Sequence, residues 1–142
     1  MTTIACNRKG MACDSRIVSA GPISNGPKVE KINGVIWGGA GDAEGIEMFL
    51  MWAREGFTKE TRPVFPPEDR PEFQMLELNK QGLRIWFSRL VPIPIDEDYY
   101  AIGSGSMAAM TALYLGKHPK KAVECAAKFD ENTGGIVRWF TL

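Results

Sequence analysis

An Asn-Gly dipeptide set between two apolar runs constrains this chain more than any other feature. Lys28-Val29-Glu30-Lys31-Ile32 alternates, Asn33-Gly34 supplies the positive φ angles of a tight primed turn, and Val35-Ile36-Trp37 is apolar throughout. This reads as an antiparallel hairpin. Two others share its form. Thr2 to Asn7 and Met11 to Asp14 flank the turn Arg8-Lys9-Gly10, and Phe73 to Leu78 and Leu83 to Phe87 flank Asn79-Lys80-Gln81-Gly82.

Helical patterns fall between and after the hairpins. Gly38-Gly39-Ala40-Gly41-Asp42 reads as a strand-to-helix junction, with Asp42 capping a helix that begins near Ala43. Ile46, Phe49, Leu50 and Ala53 share one face of that helix, and Gly56 ends it. Ser19 to Pro27 holds Gly21-Pro22 and Gly26-Pro27, and Thr58 to Pro71 holds four prolines, so both read as loops. Pro92 to Asp98 is expected to be a proline-bearing connection. Tyr99 to Gly103 reads as a short buried strand, and Gly103-Ser104-Gly105-Ser106 opens a helix to about Leu115. A further helix spans Pro119 to Phe129, with Ala122, Cys125, Ala126 and Phe129 as its inner stripe. Gly134-Gly135 then turns the chain into a last strand, Ile136 to Phe140. Strands, helix, strands, two helices and a strand, with antiparallel hairpins, give α+β: two sheets sandwiched between helices.

Charge and composition narrow the function. Seventeen basic and 17 acidic side chains cancel, so nothing electrostatic argues for a nucleic-acid or anionic-membrane surface. No apolar run approaches the ~18 residues of a spanning helix. The first residues carry neither a basic stretch nor a leucine-rich one, so no secretion signal is expected. The expectation is one cytoplasmic domain over residues 1–142. Cys6, Cys13 and Cys125 show no metal-ligand spacing and are expected as reduced thiols, mostly buried. No metal or other cofactor is called for. The single histidine, His118, lies in Gly116-Lys117-His118-Pro119, a break between helices, so it reads as a loop residue rather than as part of a triad. Gly103-x-Gly105-x-x-Ala108, with Glu124 some way on, superficially matches a dinucleotide fingerprint but follows a hairpin, so the βαβ context is missing. Gly39-Ala40-Gly41 lacks the Lys-Ser/Thr of a P-loop. Both glycine clusters allow close strand-to-helix turns, or bring backbone N–H groups beside a reaction centre.

The chain opens Met1-Thr2-Thr3-Ile4. Thr2 is small enough for the initiator Met to be removed readily. The exposed threonine would then carry a hydroxyl and an α-amine of pKa ~7.7–8.0, a general base that needs no histidine. Five further segments give this opening a context. Met11-Ala12-Cys13-Asp14-Ser15-Arg16, Lys28 to Asn33, Gly39-Ala40-Gly41-Asp42-Ala43, Tyr100-Ala101-Ile102-Gly103-Ser104-Gly105 and Asp130-Glu131-Asn132-Thr133-Gly134-Gly135 occur in that order across nearly the whole chain. They resemble the corresponding segments of proteasome β-type and HslV-like peptidases, members of the N-terminal-nucleophile hydrolases.

The resemblance implies a four-layer α-β-β-α sandwich. It makes Thr2 the nucleophile once Met1 is gone, and sets Lys28 beside its hydroxyl with Asp14 holding Lys28. Ser104, Asp130 and Thr133 would form a hydrogen-bond network around the α-amine. The Gly41 N–H would face the oxyanion, and Gly39, with Ala40, would line the substrate pocket. It further implies a peptide or unfolded-protein substrate, a homo-oligomeric ring and an AAA+ unfoldase as a possible partner; the charge balance and the short apolar runs are what argue against nucleic acid and membrane.

The chain also departs from that pattern. Only one helix, Ala43 to Glu55, fits between the glycine turn and the third hairpin, where the family has two, so one helical layer is expected to be reduced and to expose apolar surface. The first hairpin is short. Thr133 stands where the family usually has Ser. With nothing ahead of Met1-Thr2, maturation by Met removal is expected, in the manner of a small bacterial or bacteriophage variant. The main expectation is a threonine-type peptidase. A non-catalytic assembly protein that keeps the sandwich and an amidase acting on a non-protein amide are the alternatives.

Overall fold

The computed structural model describes residues 2–17 and 24–142. Met1 and most of the expected Ser19 to Pro27 loop lie outside the described residues. In chain order the elements are β1 (Thr3–Asn7), β2 (Gly10–Cys13), β3 (Arg16–Ile17), β4 (Ser24–Asn25), β5 (Val29–Ile32), β6 (Val35–Gly41) and α1 (Ala43–Arg54). There follow β7 (Phe73–Asn79), β8 (Gly82–Trp86), β9 (Pro92–Ile95), β10 (Tyr99–Gly103), α2 (Ser106–Tyr114), α3 (Pro119–Phe129) and β11 (Arg138–Thr141). One sheet has the order β10-β1-β2-β11 and the other β5-β6-β7-β8-β9; β3 and β4 form a separate ribbon. Every pairing is antiparallel, as three hairpins require.

Strand alternation sorts the side chains into layers. Ile4, Cys6, Met11 and Cys13 of the first sheet meet Ile36, Ala40, Leu76 and Leu78 of the second in the space between them. The opposite face of the first sheet, Ala5, Ala12 and Ala101, packs under α2 and α3 through Ala109, Ala112, Ala122, Val123 and Ala126. The opposite face of the second, Trp37, Phe73, Met75 and Trp86, packs under Phe49, Trp52 and Ala53 of α1. The result is the α-β-β-α sandwich expected from the sequence, with a single helix on one side. Asp42 caps α1 by accepting the Gly45 N–H at 2.8 Å.

Four expectations change. Pro92 to Ile95 is a strand, not a plain connection. At a sheet edge the two prolines fall on one parity and leave Ile93 and Ile95 with N–H groups for β8. Gly38 to Gly41 belong to β6 and pair with Gly38↔Leu76 through Gly41↔Phe73, because small residues let Ile4, Met11 and Ile46 close over that strand. On α3, Phe129 is 80% exposed and Val123 is buried, since the stripe leans one position round the helix. His118 is the N-cap of α3, its Nδ1 accepting the Lys120 N–H at 3.1 Å while its ring lies against Trp139. The single-helix layer exposes apolar surface, as expected, though part of it is covered. Phe57, Phe65 and Leu90 close over the rings beside α1, and the Trp52 indole N–H donates to the Thr58 carbonyl at 2.8 Å. On α1 itself Met48 and Met51 remain exposed.

Candidate active site

The start of β1 is tied to four other segments. Asp14, immediately after β2, is fully buried and makes three contacts. Its Oδ1 accepts the Thr3 N–H at 3.0 Å and the Lys28 ammonium at 3.0 Å, and its Oδ2 accepts the Gly134 N–H at 3.1 Å. The Lys28 side chain is 7% exposed, and its Nζ also donates to the Arg16 carbonyl. Burying an ammonium group costs desolvation energy that a counter-ion offsets, and here a carboxylate sits on it. The resemblance implies that Asp14, although its hairpin is short, reaches Lys28. It does, because the Gly39 N–H bonds the Lys28 carbonyl at 3.2 Å and holds Lys28 at the head of β5, across from β2.

On the helical side of β1 the hydroxyls form a directed chain. The Gly105 N–H donates to Thr3 Oγ1 at 3.0 Å, Thr3 Oγ1 and Thr133 Oγ1 are 2.6 Å apart, and Thr133 Oγ1 donates to Asp130 Oδ2 at 2.6 Å. A hydroxyl has one proton. Since Thr133 gives its proton to Asp130, Thr3 must donate to Thr133. Ser104 Oγ donates to the same Asp130 oxygen. Burial pushes the Asp130 carboxyl up, but hydrogen bonds from Ser104, Thr133 and the Asn132 backbone outweigh it, and the group lies below the ordinary carboxylate range. The Ser104 N–H bonds the Thr2 carbonyl at 2.8 Å, with Ser104 Oγ 3.4 Å from the same oxygen. Gly103 has φ +99°, and a Cβ there would overlap that carbonyl, so only glycine lets β10 come this close to residue 2.

A cavity of about 820 Å³ opens on Thr2, lined also by Ala40, Gly41, Phe73, Gln74, Tyr100, Ile102 and Ser104. It lies at one end of the space between the sheets. Gly41 adopts φ +115°, and a Cβ there would lie 2.6 Å from the Glu72 carbonyl oxygen. Gly39 does not line this cavity. Its Cα faces α1, where a Cβ would meet Ile46 Cγ2 at 2.6 Å, because alternation along β6 turns Ala40 and Gly39 to opposite faces. Of the nine residues singled out in the sequence, Thr2, Asp14, Lys28, Ser104, Asp130 and Thr133 thus share one bonded cluster. Gly41 and Ala40 border its cavity, and Gly39 stands apart.

Thr3 was missed. A second threonine in a Met-Thr-Thr start gives no sign of its role until the register Thr3↔Gly103 sets it beside the first turn of α2. The cysteines take no part. Burial raises the Cys6 thiol far above its usual range, and burial, outweighing the nearby Lys28, pushes Cys13 up to about 11, so both stay protonated at neutral pH.

No family model matches the sequence, and no curated protein matches it. Solved structures do. Eukaryotic HslV from Trypanosoma brucei superposes with a TM-score of 0.75 at 20% identity, over 99% of this chain and 98% of that one. The chain has the proteasome β-type, HslV-like fold. Thiobacillus denitrificans BPH matches with a TM-score of 0.72 at 18% identity, over 99% of this chain and 97% of that one. BPH in complex with epoxomicin gives 0.70 at 17%, over 99% and 98%. The sandwich with a single helix on one side therefore matches the HslV fold over nearly the whole length of both chains.

Proposed function

We propose that the protein is a threonine-type peptide hydrolase whose nucleophile is Thr2, exposed by removal of Met1. The observation that carries this reading is the buried Lys28–Asp14 pair, bonded to the backbone of residue 3, whose neighbour Thr2 lines the cavity. A buried charged lysine held by a carboxylate and a carbonyl is costly for a scaffold to keep, and the resemblance to proteasome-type peptidases sets such a lysine beside the threonine nucleophile. The likeness to BPH, which is known in complex with epoxomicin, supports the same reading.

In the proposed reaction, Thr2 Oγ1 attacks the peptide carbonyl and the free α-amine of Thr2 takes the hydroxyl proton. The positive charge of Lys28 favours the developing alkoxide and keeps the amine unprotonated near neutral pH. The oxyanion of the tetrahedral intermediate faces the Gly41 N–H; a donor of this kind is worth about 10²–10³ in rate. Collapse breaks the C–N bond, the leaving amine takes the proton from the Thr2 ammonium, and an acyl ester remains. Water, deprotonated by the same amine, hydrolyses that ester. Ser104, Asp130, Thr133 and Thr3 orient residue 2 through the backbone. Ala40 and Gly41 border the substrate cleft, and the expected pocket role of Gly39 is dropped.

We place this activity in a single domain over residues 1–142, in the cytoplasm and inside a homo-oligomeric ring. An AAA+ unfoldase is a candidate partner for delivering unfolded protein. The test is the intact mass of the purified protein before and after incubation with a peptide epoxyketone. Loss of Met1 and one adduct per chain, absent in Thr2→Ala, are expected. An intact Met1 with no adduct overturns the proposal and favours the assembly protein, and full hydrolytic activity in Thr2→Ala overturns Thr2 as the nucleophile.

A further inference from the structure

Beyond the Thr2 cavity, the segment between α1 and β7 and the turn after β8 enclose a second, smaller concavity of about 220 Å³. It is lined by Arg62, Arg70 and Arg89 together with Phe65, Ser88 and Leu90. Three arginines thus line one small hollow, and each carries a permanent charge. Arg62 is held there by donating to the Arg89 carbonyl at 3.4 Å and by lying 5.8 Å from the centre of the Trp52 ring. The same segments carry Glu60, Glu68, Asp69 and Glu72, yet among the described residues none of these forms an ion pair with the three arginines. By contrast, Arg8, Arg54 and Arg84 each hold a carboxylate within 3 Å. Like charges along one hollow, with no described carboxylate within ion-pair distance, repel one another, and an incoming anion relieves that repulsion.

The hollow is continuous with the cleft in one respect that matters. Ser88 lines both, next to Phe87, which is 40% exposed and also lines the larger cavity. An extended chain bound in front of Thr2 therefore has a route past Phe87 and Ser88 to the three arginines. We infer that Arg62, Arg70 and Arg89 form an anion-binding subsite of the substrate cleft, selecting peptides with an acidic side chain at one fixed position relative to the scissile bond. The guanidinium fork matches a carboxylate in two hydrogen bonds, which gives the subsite positional selectivity as well as charge selectivity. The inference rests on the peptidase reading only for which ligand arrives; the basic hollow exists without it.

The experiment separates the two. Labelled decapeptides that differ only by Glu or Gln at successive positions are titrated, by fluorescence anisotropy, into the Thr2→Ala protein, which binds without cleaving. At one position Glu is expected to bind about tenfold tighter than Gln, the factor expected of one charge-assisted hydrogen bond. The preference should shrink with added salt and vanish in Arg70→Gln/Arg89→Gln. That variant leaves Arg62 on Trp52, so the packing beneath is kept. Equal affinity for Glu and Gln peptides at every position overturns the inference, and so does a Glu preference that survives the double substitution. If the double variant leaves peptide affinity unchanged and instead alters the sedimentation of the oligomer, the arginines face a neighbouring subunit, which also overturns it. Failure of Thr2 to react with an epoxyketone bears only on the catalytic proposal, because the binding assay needs no turnover.

Discussion

On one outer face, two helices meet their sheet through alanines: Ala109, Ala112, Ala122 and Ala126 lie on Ala5, Ala12 and Ala101. On the other, one helix meets its sheet through rings: Phe49 and Trp52 lie on Trp37, Phe73 and Trp86, and Phe57 stacks on Trp86 with centroids 5.7 Å apart. Small side chains allow α2 and α3 to approach closely enough that backbone N–H groups of residues 104 and 105 bond residues 2 and 3. Large ones let a single helix and a proline-rich loop cover a five-stranded sheet. The alanine side is built to place the start of the chain. The aromatic side is built to close the core. Glu77 shows how thoroughly the latter is closed: buried on that face, it accepts from Arg84, Trp86 and Asn79.

This comparison predicts different consequences for damage on each side. The largest effect belongs to Lys28→Ala. It strands the buried Asp14 carboxylate, which costs about 3–5 kcal/mol of stability, and it should remove hydrolysis altogether. Urea denaturation and peptide cleavage read the two losses separately. Phe49→Ala opens a cavity among the rings and should cost about 3–5 kcal/mol as well. Its folded fraction, however, should retain the specific activity of the parent, because Phe49 touches nothing that bonds residues 2 or 3. A Phe49→Ala protein that is folded at low temperature yet inactive would refute the division of labour between the layers. Ala109→Leu reverses the pattern. Overpacking there should cost only about 1–3 kcal/mol. It pushes α2 away from β1, though, and the Ala109 N–H bonds the Gly105 carbonyl at 3.1 Å, so the Gly105–Thr3 contact should open and activity should fall at least tenfold.

The architecture was largely legible in the sequence because its signals are local. Asn33-Gly34 fixes a hairpin, Asp42 caps a helix three residues ahead, and Gly134-Gly135 marks a turn. The site residues were legible as a set through their order along the chain, but not through any pairwise rule: Asp14 and Lys28 meet only because β2 and β5 face one another across the core. Alternation could have turned Gly39 away from the cavity, had the glycine run been taken as strand rather than as a junction. The strand Pro92 to Ile95 was hidden by its prolines, which are tolerated only because the strand lies at an edge. Thr3 and the three arginines had no sequence signal at all. Their roles come from registers and loop paths that bring positions dozens of residues apart to one point.

The smallest expected effect is also the most specific to the alanine side. Asp130 closes the hydroxyl chain, and its carboxyl titrates below the ordinary value of about 3.9. The unfolded chain therefore binds this proton at a higher pH than the folded one does. Stability from Asp130 is fully present above the ordinary carboxylate pKa and is lost as pH falls through the lowered one. Comparing urea midpoints at pH 6 and pH 3, the parent should lose more than Asp130→Asn, which has no proton to take up at that position. The aromatic side offers a control. Glu30, on β5, is likewise held below its usual range by hydrogen bonds from Arg54, but it is a surface pair that salt screens. Raising the ionic strength should erase any pH dependence owed to Glu30 and leave most of that owed to Asp130, whose partners are neutral hydroxyls and a backbone N–H. An equal salt response from both would mean that the Asp130 network is as open to water as the surface pair, and that α3 does not shield the start of the chain.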